Sequence, residues 1–414
     1  MVSLIRRLGG FSTLPFVSAI LPFLAIPVVG RTSGEDGWTA FNVGQAVGAY
    51  AAAVGYVGWN SLGTPMVAAE ATPSARHTLY ARSFYARLPI VVVVAVIAAV
   101  VGALLSPASA LGVAVTFAVA GALGGFGLSW YAVGVSSISL IVWFEIVPRA
   151  IATAVAIAVL LLTGDVVWYG VAMIVAAIAG VVAFHLVHLG RLLPVWDGWR
   201  QVRHDIASLR SAWGVEIVGN LYSNAPVPVA AASSSVAQSA SYSSSDRIYR
   251  YGLLGVVAVG NALQGWTLEA RGDHRRLRNR VSIALMSGLG LFGMCFLTFV
   301  GVPVSEFIFG GAAPAVQGML IWLGLSYLAI AASTPLIRNV LLPARREATV
   351  LKVTIASAGL GLAGMIGGGV LIGPSGVAAG LALSEVFTLV CCIAFTRRVG
   401  LGEPATPQTK GDTR

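Results

Sequence analysis

Apolar stretches of about 20 residues recur along this 414-residue chain, and they constrain its fold more than any other feature. A helix needs about 20 apolar residues to cross the hydrocarbon core of a bilayer, because each residue rises about 1.5 Å. Only 10% of the residues are charged, whereas soluble domains average about 25%. No segment between the apolar stretches is long enough to fold as a soluble domain. The sequence therefore predicts an all-α polytopic membrane protein.

These stretches predict about twelve membrane spans, with both chain termini in the cytoplasm. The first is expected to be a retained helix rather than a cleaved signal peptide, since it is long, contains three prolines and lacks a small-residue cleavage site. The predicted spans are 9–29, 38–60, 86–105, 111–133, 146–163, 166–188, 212–233, 249–268, 281–302, 316–336, 350–372 and 376–395.

The distribution of arginine and lysine supports this topology. All but Arg31, Arg247 and Arg250 of the 26 basic residues fall in the predicted inner segments, as the retention of positive charge in the cytoplasm requires. Topology and anionic lipid headgroups then explain the net charge of +10, so no nucleic-acid partner is expected. The most basic segment, 271–280, is predicted to be a cytoplasmic loop between spans eight and nine.

Two halves of similar plan lie on either side of residue 207. Each has six spans, and the closing hairpins at 160–180 and 370–390 are similar in sequence. Both halves start in the cytoplasm, so they form a parallel repeat, and transporters of this kind bind substrate between their halves. The predicted parts are an N-terminal six-helix lobe at 1–207, a C-terminal six-helix lobe at 208–398 and a disordered cytoplasmic tail at 399–414.

Polar side chains inside the spans are candidate site residues, because polar groups in a bilayer face the protein interior or water. In span seven, Glu216, Asn220 and Asn224 recur at helical spacing and share one face. Glu216 is a candidate for ion coupling, but it lies about one turn from the cytoplasmic boundary and could equally be interfacial. Glu385, in the last span, is a second candidate for ion coupling. A pair near the outer end of span two also shares a face: Asn42 and Gln45.

The segment 241–252, SYSSSDRIYRYG, contains two of the three basic residues on the predicted outer side. Two interpretations are open: a polar stretch whose Asp246–Arg250 pair satisfies itself near the headgroups, or the outer turns of a helix that begins near Gln238. Such turns would face a central cavity, because arginine facing lipid is costly, and guanidinium groups bind phosphate oxygens bidentately. The candidate substrate-binding residues on or beside this face are Tyr242, Asp246, Arg247, Tyr249 and Arg250.

Several of these features together resemble a known family. A proline-bearing first span leads into the turn Gly34–Trp38, span two ends in WNSLG at Trp59–Gly63, and the segment 242–264 opens on a tyrosine and small residues. This pattern resembles the polysaccharide-transport (Wzx-type) flippases of the multidrug/oligosaccharidyl-lipid/polysaccharide exporter (MOP) superfamily, although the family's usual acidic residue is absent from WNSLG.

The resemblance implies a MATE-like pair of six-helix lobes around a central cavity, in the cytoplasmic membrane of a bacterium. It also implies translocation of an undecaprenyl-pyrophosphate-linked oligosaccharide for cell-surface polysaccharide biosynthesis. The expected partners are the lipid-linked substrate, membrane lipids, and a polysaccharide polymerase or other export machinery.

Two other functions stay open at this point. A cation-coupled exporter of small drugs or metabolites would have the same fold, although arginines in the cavity disfavour a cationic drug. A membrane enzyme such as a polysaccharide polymerase or ligase is disfavoured, because the outer acidic residues lie in short separate loops with no partner nucleophile. The chain is therefore not expected to be an enzyme. No metal or cofactor is expected, since the cysteines and histidines lack ligand spacing.

Overall fold

The computed structural model describes residues 25–269, 272–310 and 313–401, except for the side chains of residues 272 and 273. Most of predicted span one and most of the predicted tail lie outside these ranges. The described chain is almost entirely helical. Its α-helices are α1 (described over 25–32), α2 (Gly34–Gly55), α3 (Trp59–Ala69), α4 (Pro73–Leu104), α5 (Leu111–Ala122), α6 (Ser129–Gly134), α7 (Ile138–Ile141), α8 (Val147–Thr163), α9 (Val167–Phe184), α10 (Trp199–Asn224), α11 (Pro226–Ser233), α12 (Val236–Leu268), α13 (Gly272–Phe309), α14 (Gln317–Pro335), α15 (Glu347–Ile372) and α16 (Pro374–Val399).

Wide turns of the π type extend some of these helices. Val142–Ile146 joins α7 to α8, His185–Leu189 follows α9, and Leu336–Leu341 follows α14. In a π turn the backbone hydrogen bond joins residues five apart, one more than the four of an α-helix. The helix therefore continues through the turn with its faces rotated.

Eight helical segments of the described chain are long and apolar enough to cross a membrane: Pro73–Leu104, Ala108–Gly134, Ile138–Thr163, Val167–Leu189, His274–Phe309, Gln317–Leu341, Glu347–Ile372 and Pro374–Val399. They coincide with predicted spans three to six and nine to twelve. The structure thus confirms an all-helical, multi-pass membrane protein. The total of twelve spans and the cytoplasmic placement of both termini stay predictions.

Several helices extend past the predicted apolar spans. Helix α4 begins at Pro73, 13 residues before predicted span three, where the Thr72 hydroxyl accepts a hydrogen bond from the amide of Ala75 at 3.2 Å. The segment 271–280 was expected to be a loop, but its described part is helical from Gly272 onward. That prediction was wrong because charged residues can continue a helix beyond the apolar core of the bilayer.

Prolines divide the predicted seventh span. Helix α10 ends at Asn224 and α11 begins at Pro226, which has no amide hydrogen to donate to the preceding turn. The predicted seventh span is therefore two helices rather than one. Pro27, in predicted span one, lies within α1.

Internal contacts divide the chain into two units. Unit 1 contains the described residues up to Ala232 and those of the segment Ile308–Ala313, and unit 2 contains Ser233–Phe307 and the described residues from Pro314 onward. The predicted boundary at residue 207 falls inside α10, whose residues belong to unit 1.

Aromatic rings fill the core of unit 1. Trp59 packs against Trp130 with ring centroids 5.2 Å apart, and Tyr80 packs against Phe184 at 4.9 Å. Gly63 allows this packing, because a Cβ atom there would lie 2.4 Å from the Trp130 ring.

Glycine makes the closest helix pair of unit 2. Gly364 and Gly368 on α15 face Gly380 and Gly376 on α16, and a Cβ atom on Gly376 would lie 2.0 Å from the Gly368 carbonyl oxygen. Small residues four apart let two membrane helices bring their backbones into contact. The turn of this hairpin is Gly373, with φ 66°.

Candidate functional site

Helix α12 carries the polar segment 241–252 in its first turns. The helix begins at Val236, and its N-terminus is closed by a reciprocal pair: Gln238 N–H donates to the Ser235 hydroxyl at 3.4 Å, and Ser235 N–H donates to Gln238 Oε1 at 3.3 Å. This capping box satisfies two amides that have no partner inside the helix. The expectation of a helix that begins near Gln238 is confirmed.

Asp246 and Arg250 pair along this helix, four residues apart. Arg250 Nε donates to Asp246 Oδ2 at 2.5 Å. The Asp246 side chain is 4% exposed and that of Arg250 is 38% exposed, so the carboxylate is enclosed while part of the guanidinium stays accessible. Arg247, on a neighbouring face, is half-buried. Two arginines and one aspartate give these two turns a net charge of +1.

Two tyrosines on the same face of α12, Tyr242 and Tyr249, are both buried. Helix α14 packs against the same helix, where the Tyr327 hydroxyl donates to the Gly252 carbonyl at 3.2 Å. The structure thus brings four of the predicted residues onto one face, with Arg247 beside them. Glu385 lies on α16 in the same unit and is half-buried.

A polar face runs along α10 in unit 1. Asn220 Nδ2 donates to the Glu216 carbonyl and Asn224 Nδ2 donates to the Asn220 carbonyl, each at 2.9 Å. The Ser61 hydroxyl on α3 donates to Glu216 Oε1 at 2.5 Å. The other carboxylate oxygen, Oε2, is buried and has no hydrogen-bond partner among the described residues. Glu216 is therefore partly enclosed by protein rather than fully solvated.

The predicted pair on α2 differs in burial. Asn42 is buried, and its Nδ2 donates to the Trp38 carbonyl at 2.7 Å, whereas Gln45 is half-buried. Asn42 thus stabilises its own helix in this structure. Its part in substrate binding stays a prediction, as do the parts of the other candidate residues.

Sequence reasoning missed one buried cation. Arg87 was counted with the inner, cytoplasmic charges, but it is 0% exposed within unit 1. Its guanidinium donates to the carbonyls of Gly125 at 3.0 Å and Gly127 at 3.2 Å, and to the Ser83 hydroxyl at 3.0 Å. It also lies 5.6 Å from the centroid of the Trp130 ring. The neutral acceptors compensate the charge, as a buried guanidinium requires.

A half-buried carboxylate lies near the same chain segment. Glu145, in the first wide turn, accepts hydrogen bonds from the amide of Leu128 and from the Ser129 hydroxyl, the latter at 2.9 Å. Arg87 and Glu145 thus hold the segment 125–129, between α5 and α6, from two sides. The sequence did contain a signal that Arg87 could be buried. Residues 88–105, which follow it, carry no charge, so Arg87 lies at the start of predicted span three.

No group of three or more histidine, cysteine, aspartate or glutamate side chains that could hold a metal ion occurs within residues 25–269, 272–310 and 313–401. The described cysteines, Cys295, Cys391 and Cys392, carry free thiols.

Comparison with known proteins identifies the fold. The chain matches no protein-family model and no curated protein sequence. Among solved structures, it is similar to the lipid II flippase MurJ in an inward closed conformation, with a TM-score of 0.71 and 12% identity over 94% of this chain and 87% of MurJ.

Multidrug transporters are also similar to this chain. An inward-facing multidrug-resistance MATE transporter gives a TM-score of 0.56 with 14% identity, over 92% of this chain and 97% of the transporter. The MATE transporter DinF-BH, in complex with R6G, gives 0.50 with 14% identity, over 94% of this chain and 95% of that protein. At such identities the similarities establish the fold alone.

Proposed function

We propose that this protein is a flippase, which moves an undecaprenyl-pyrophosphate-linked oligosaccharide from the cytoplasmic to the outer leaflet of a bacterial cytoplasmic membrane for cell-surface polysaccharide biosynthesis. The observation that carries the proposal is the similarity of 94% of the chain to a protein that flips lipid II. Helix α12 also carries two arginines, Arg247 and Arg250. Their positive charge suits an anionic lipid better than a cationic drug.

The chemistry of α12 matches a pyrophosphate. Asp246 holds the Nε edge of Arg250 at 2.5 Å, while the guanidinium stays 38% exposed. A phosphate oxygen that approaches the accessible part would form charge-assisted hydrogen bonds, and Arg247 would add a second cation. Because Asp246 remains in contact, Arg250 is held in one orientation and loses little side-chain entropy when the substrate binds.

The glycan would be passed by neutral polar groups. Asn220 and Asn224 on α10, and Asn42 and Gln45 on α2, offer amide groups suited to sugar hydroxyls. The polyprenyl tail would stay in the bilayer while one lobe rocks against the other, as in transporters with a repeat axis along the membrane normal. A polysaccharide polymerase or other export machinery would then receive the lipid-linked product.

Alanine substitution of both arginines tests this function. We expect the double variant Arg247→Ala/Arg250→Ala to abolish export of the lipid-linked glycan in a strain that depends on this protein, because the pyrophosphate loses both cations. Arg397→Ala is the matched control, since Arg397 is an exposed arginine at the end of α16. Membrane abundance of each variant is measured by immunoblotting. Full export by the double variant at normal abundance would refute the assigned role.

One observation favours a second function, cation-coupled export of a small molecule. Glu216 has a buried carboxylate oxygen with no hydrogen-bond partner among the described residues, and proton-coupled transporters use buried carboxylates as relays. In this case the purified protein in liposomes would move a drug only under an ion gradient, and Glu216→Gln would abolish the coupling. Gradient-independent movement of a fluorescent lipid-linked oligosaccharide, without drug transport, would favour the flippase.

A further inference from the structure

The segment 190–198 of unit 1 folds back along α4 and is held there by specific contacts. His185, at the start of the wide turn after α9, lies 2.9 Å from the Tyr80 hydroxyl through Nε2 and 2.9 Å from the Leu192 carbonyl through Nδ1. The Tyr85 hydroxyl donates to the Pro194 carbonyl at 2.7 Å. These contacts fix the backbone of the segment beside α4.

The apolar side chains of this segment remain exposed although its backbone is fixed. Leu192 and Leu193 are each 58% exposed, and Val195 is 59% exposed. Trp196 packs edge-on against Tyr85, with ring centroids 4.7 Å apart. Tryptophan, exposed aliphatic residues and nearby arginines are the combination found where a protein meets the headgroup region of a bilayer.

Two cavities lie beside one face of α4. The first is enclosed by α4, α9 and this segment, and the second lies between α4 and this segment. The first, of about 300 Å³, is almost entirely apolar; its walls include Phe84 and Leu88 on α4, and Leu192 and Leu193 on the segment. The second, of about 280 Å³, has both polar and apolar walls; we call it the polar cavity because Ser74, His77, Thr78, Arg191 and Asp197 line it. Residues 74, 77, 81, 84 and 88 follow helical spacing, so one face of α4 lines both cavities.

We propose that these two cavities form one binding site for a zwitterionic phospholipid, with a phosphate and a primary ammonium in its headgroup. The polar cavity takes the headgroup and the apolar cavity takes the upper part of an acyl chain. From His77 to Leu88 the helix rises about 16 Å at 1.5 Å per residue. That distance accommodates a headgroup, the glycerol and several methylene groups.

Charge determines the class of lipid. Arg191 and His77 are the cationic or protonatable groups of the polar cavity, and they suit the phosphate; the hydroxyls of Ser74 and Thr78 add donors. Asp197 lines the same cavity, its side chain is 41% exposed, and its ion-pair contact within the described residues is with Arg82 Nε at 3.9 Å. Arg82 is committed elsewhere, since it binds Asp205 through Nε at 2.8 Å. The Asp197 carboxylate is thus placed to bind an ammonium group, and it disfavours lipids with only negative charge.

Native mass spectrometry of the full chain tests the site. The protein is reconstituted into nanodiscs that contain equal amounts of phosphatidylethanolamine and phosphatidylglycerol. It is then released in the mass spectrometer, and the mass of the protein with its retained lipids is measured. We expect retention of one phosphatidylethanolamine in preference to phosphatidylglycerol. Arg191→Ala should lower that retention about tenfold, the effect of losing one charge-assisted hydrogen bond. Asp197→Asn should remove the preference for phosphatidylethanolamine while phosphate binding persists.

Matched variants separate binding from folding. Leu193→Trp should fill the apolar cavity and displace the lipid, whereas Leu186→Trp, on an exposed residue that lines neither cavity, should leave it bound. Arg200→Ala is the control for Arg191→Ala, because Arg200 is exposed and also lines neither cavity. Equal retention of both lipids by the unaltered protein would overturn the proposal. Equal loss in the Arg191 and Arg200 variants would show nonspecific attraction to the membrane and would also overturn it.

Discussion

A methyl group on Gly380 is the sharpest test of how unit 2 is packed. A Cβ atom at this position would lie 2.3 Å from the carbonyl carbon of Gly364 and 2.3 Å from the amide nitrogen of Met365. Unstrained carbon atoms approach to about 3.5 Å, so the overlap is about 1.2 Å. Both neighbours are backbone atoms of α15, and no side-chain rotation can relieve the overlap. Helices α15 and α16 would have to separate.

The expected free-energy change has two opposing parts. Overpacking of a close contact costs about 1–3 kcal/mol, while replacement of glycine by alanine inside a helix gains about 0.5–1 kcal/mol. The difference spans about 0–2.5 kcal/mol, so Gly380→Ala should destabilise the protein by about 1 kcal/mol. Gly367→Ala is the matched control in the facing helix, because no atom lies within 4 Å of its added Cβ. Gly367→Ala should therefore show only the stabilisation of about 0.5–1 kcal/mol that alanine gives inside a helix.

Thermal unfolding of the purified protein in detergent measures both variants. Tryptophan fluorescence reports the midpoint, which should fall by a few degrees for Gly380→Ala and stay equal or rise for Gly367→Ala. If the two variants unfold at the same temperature, α15 and α16 do not pack through these glycines, and the close hairpin described for unit 2 is wrong.

Two further substitutions test buried polar contacts. Arg87→Lys should lower the free energy of unfolding by about 1.5–3 kcal/mol, because a single ammonium cannot reach both glycine carbonyls that the guanidinium binds. Arg149→Lys, at an exposed arginine, is the control. Equal destabilisation of the two variants in thermal unfolding would contradict this prediction. Ser235→Ala should cost about 1 kcal/mol through loss of the N-cap of α12 and should speed amide hydrogen exchange over 236–240, and unchanged exchange there would show that the capping box does not hold the helix start.

Hydropathy predicted most of the fold because the bilayer imposes a minimum apolar length on each span. It did not predict where the helices end. Helix α4 begins at Pro73 and α13 is helical from Gly272, both ahead of the apolar windows. The membrane sets no limit on a helix that continues into water, so only caps such as Thr72 mark those ends, and their signals are short.

The site was predictable where the chemistry is local. The Asp246–Arg250 pair, which was part of one of the two open interpretations, follows from a spacing of four residues and is present in the structure. The environment of Arg87 was not predictable, because its acceptors at Gly125 and Gly127 lie about 40 positions away and become neighbours only through the packing of α4 against the segment that follows α5. Charge counting alone assigned this arginine to the cytoplasm.

The wide turns have a consequence for how these helices can move. In each one a polar side chain is tethered to another part of the chain: Glu145 to Leu128, His185 to Tyr80, and Asn339 to Ser282 through a 3.1 Å hydrogen bond. A wide turn contains one residue more than an α-turn. That extra residue rotates the part of the helix beyond it by about 100° relative to an uninterrupted α-helix. These side-chain contacts hold each wide turn at its present place along the helix, and they thereby fix the faces that the rest of the helix presents.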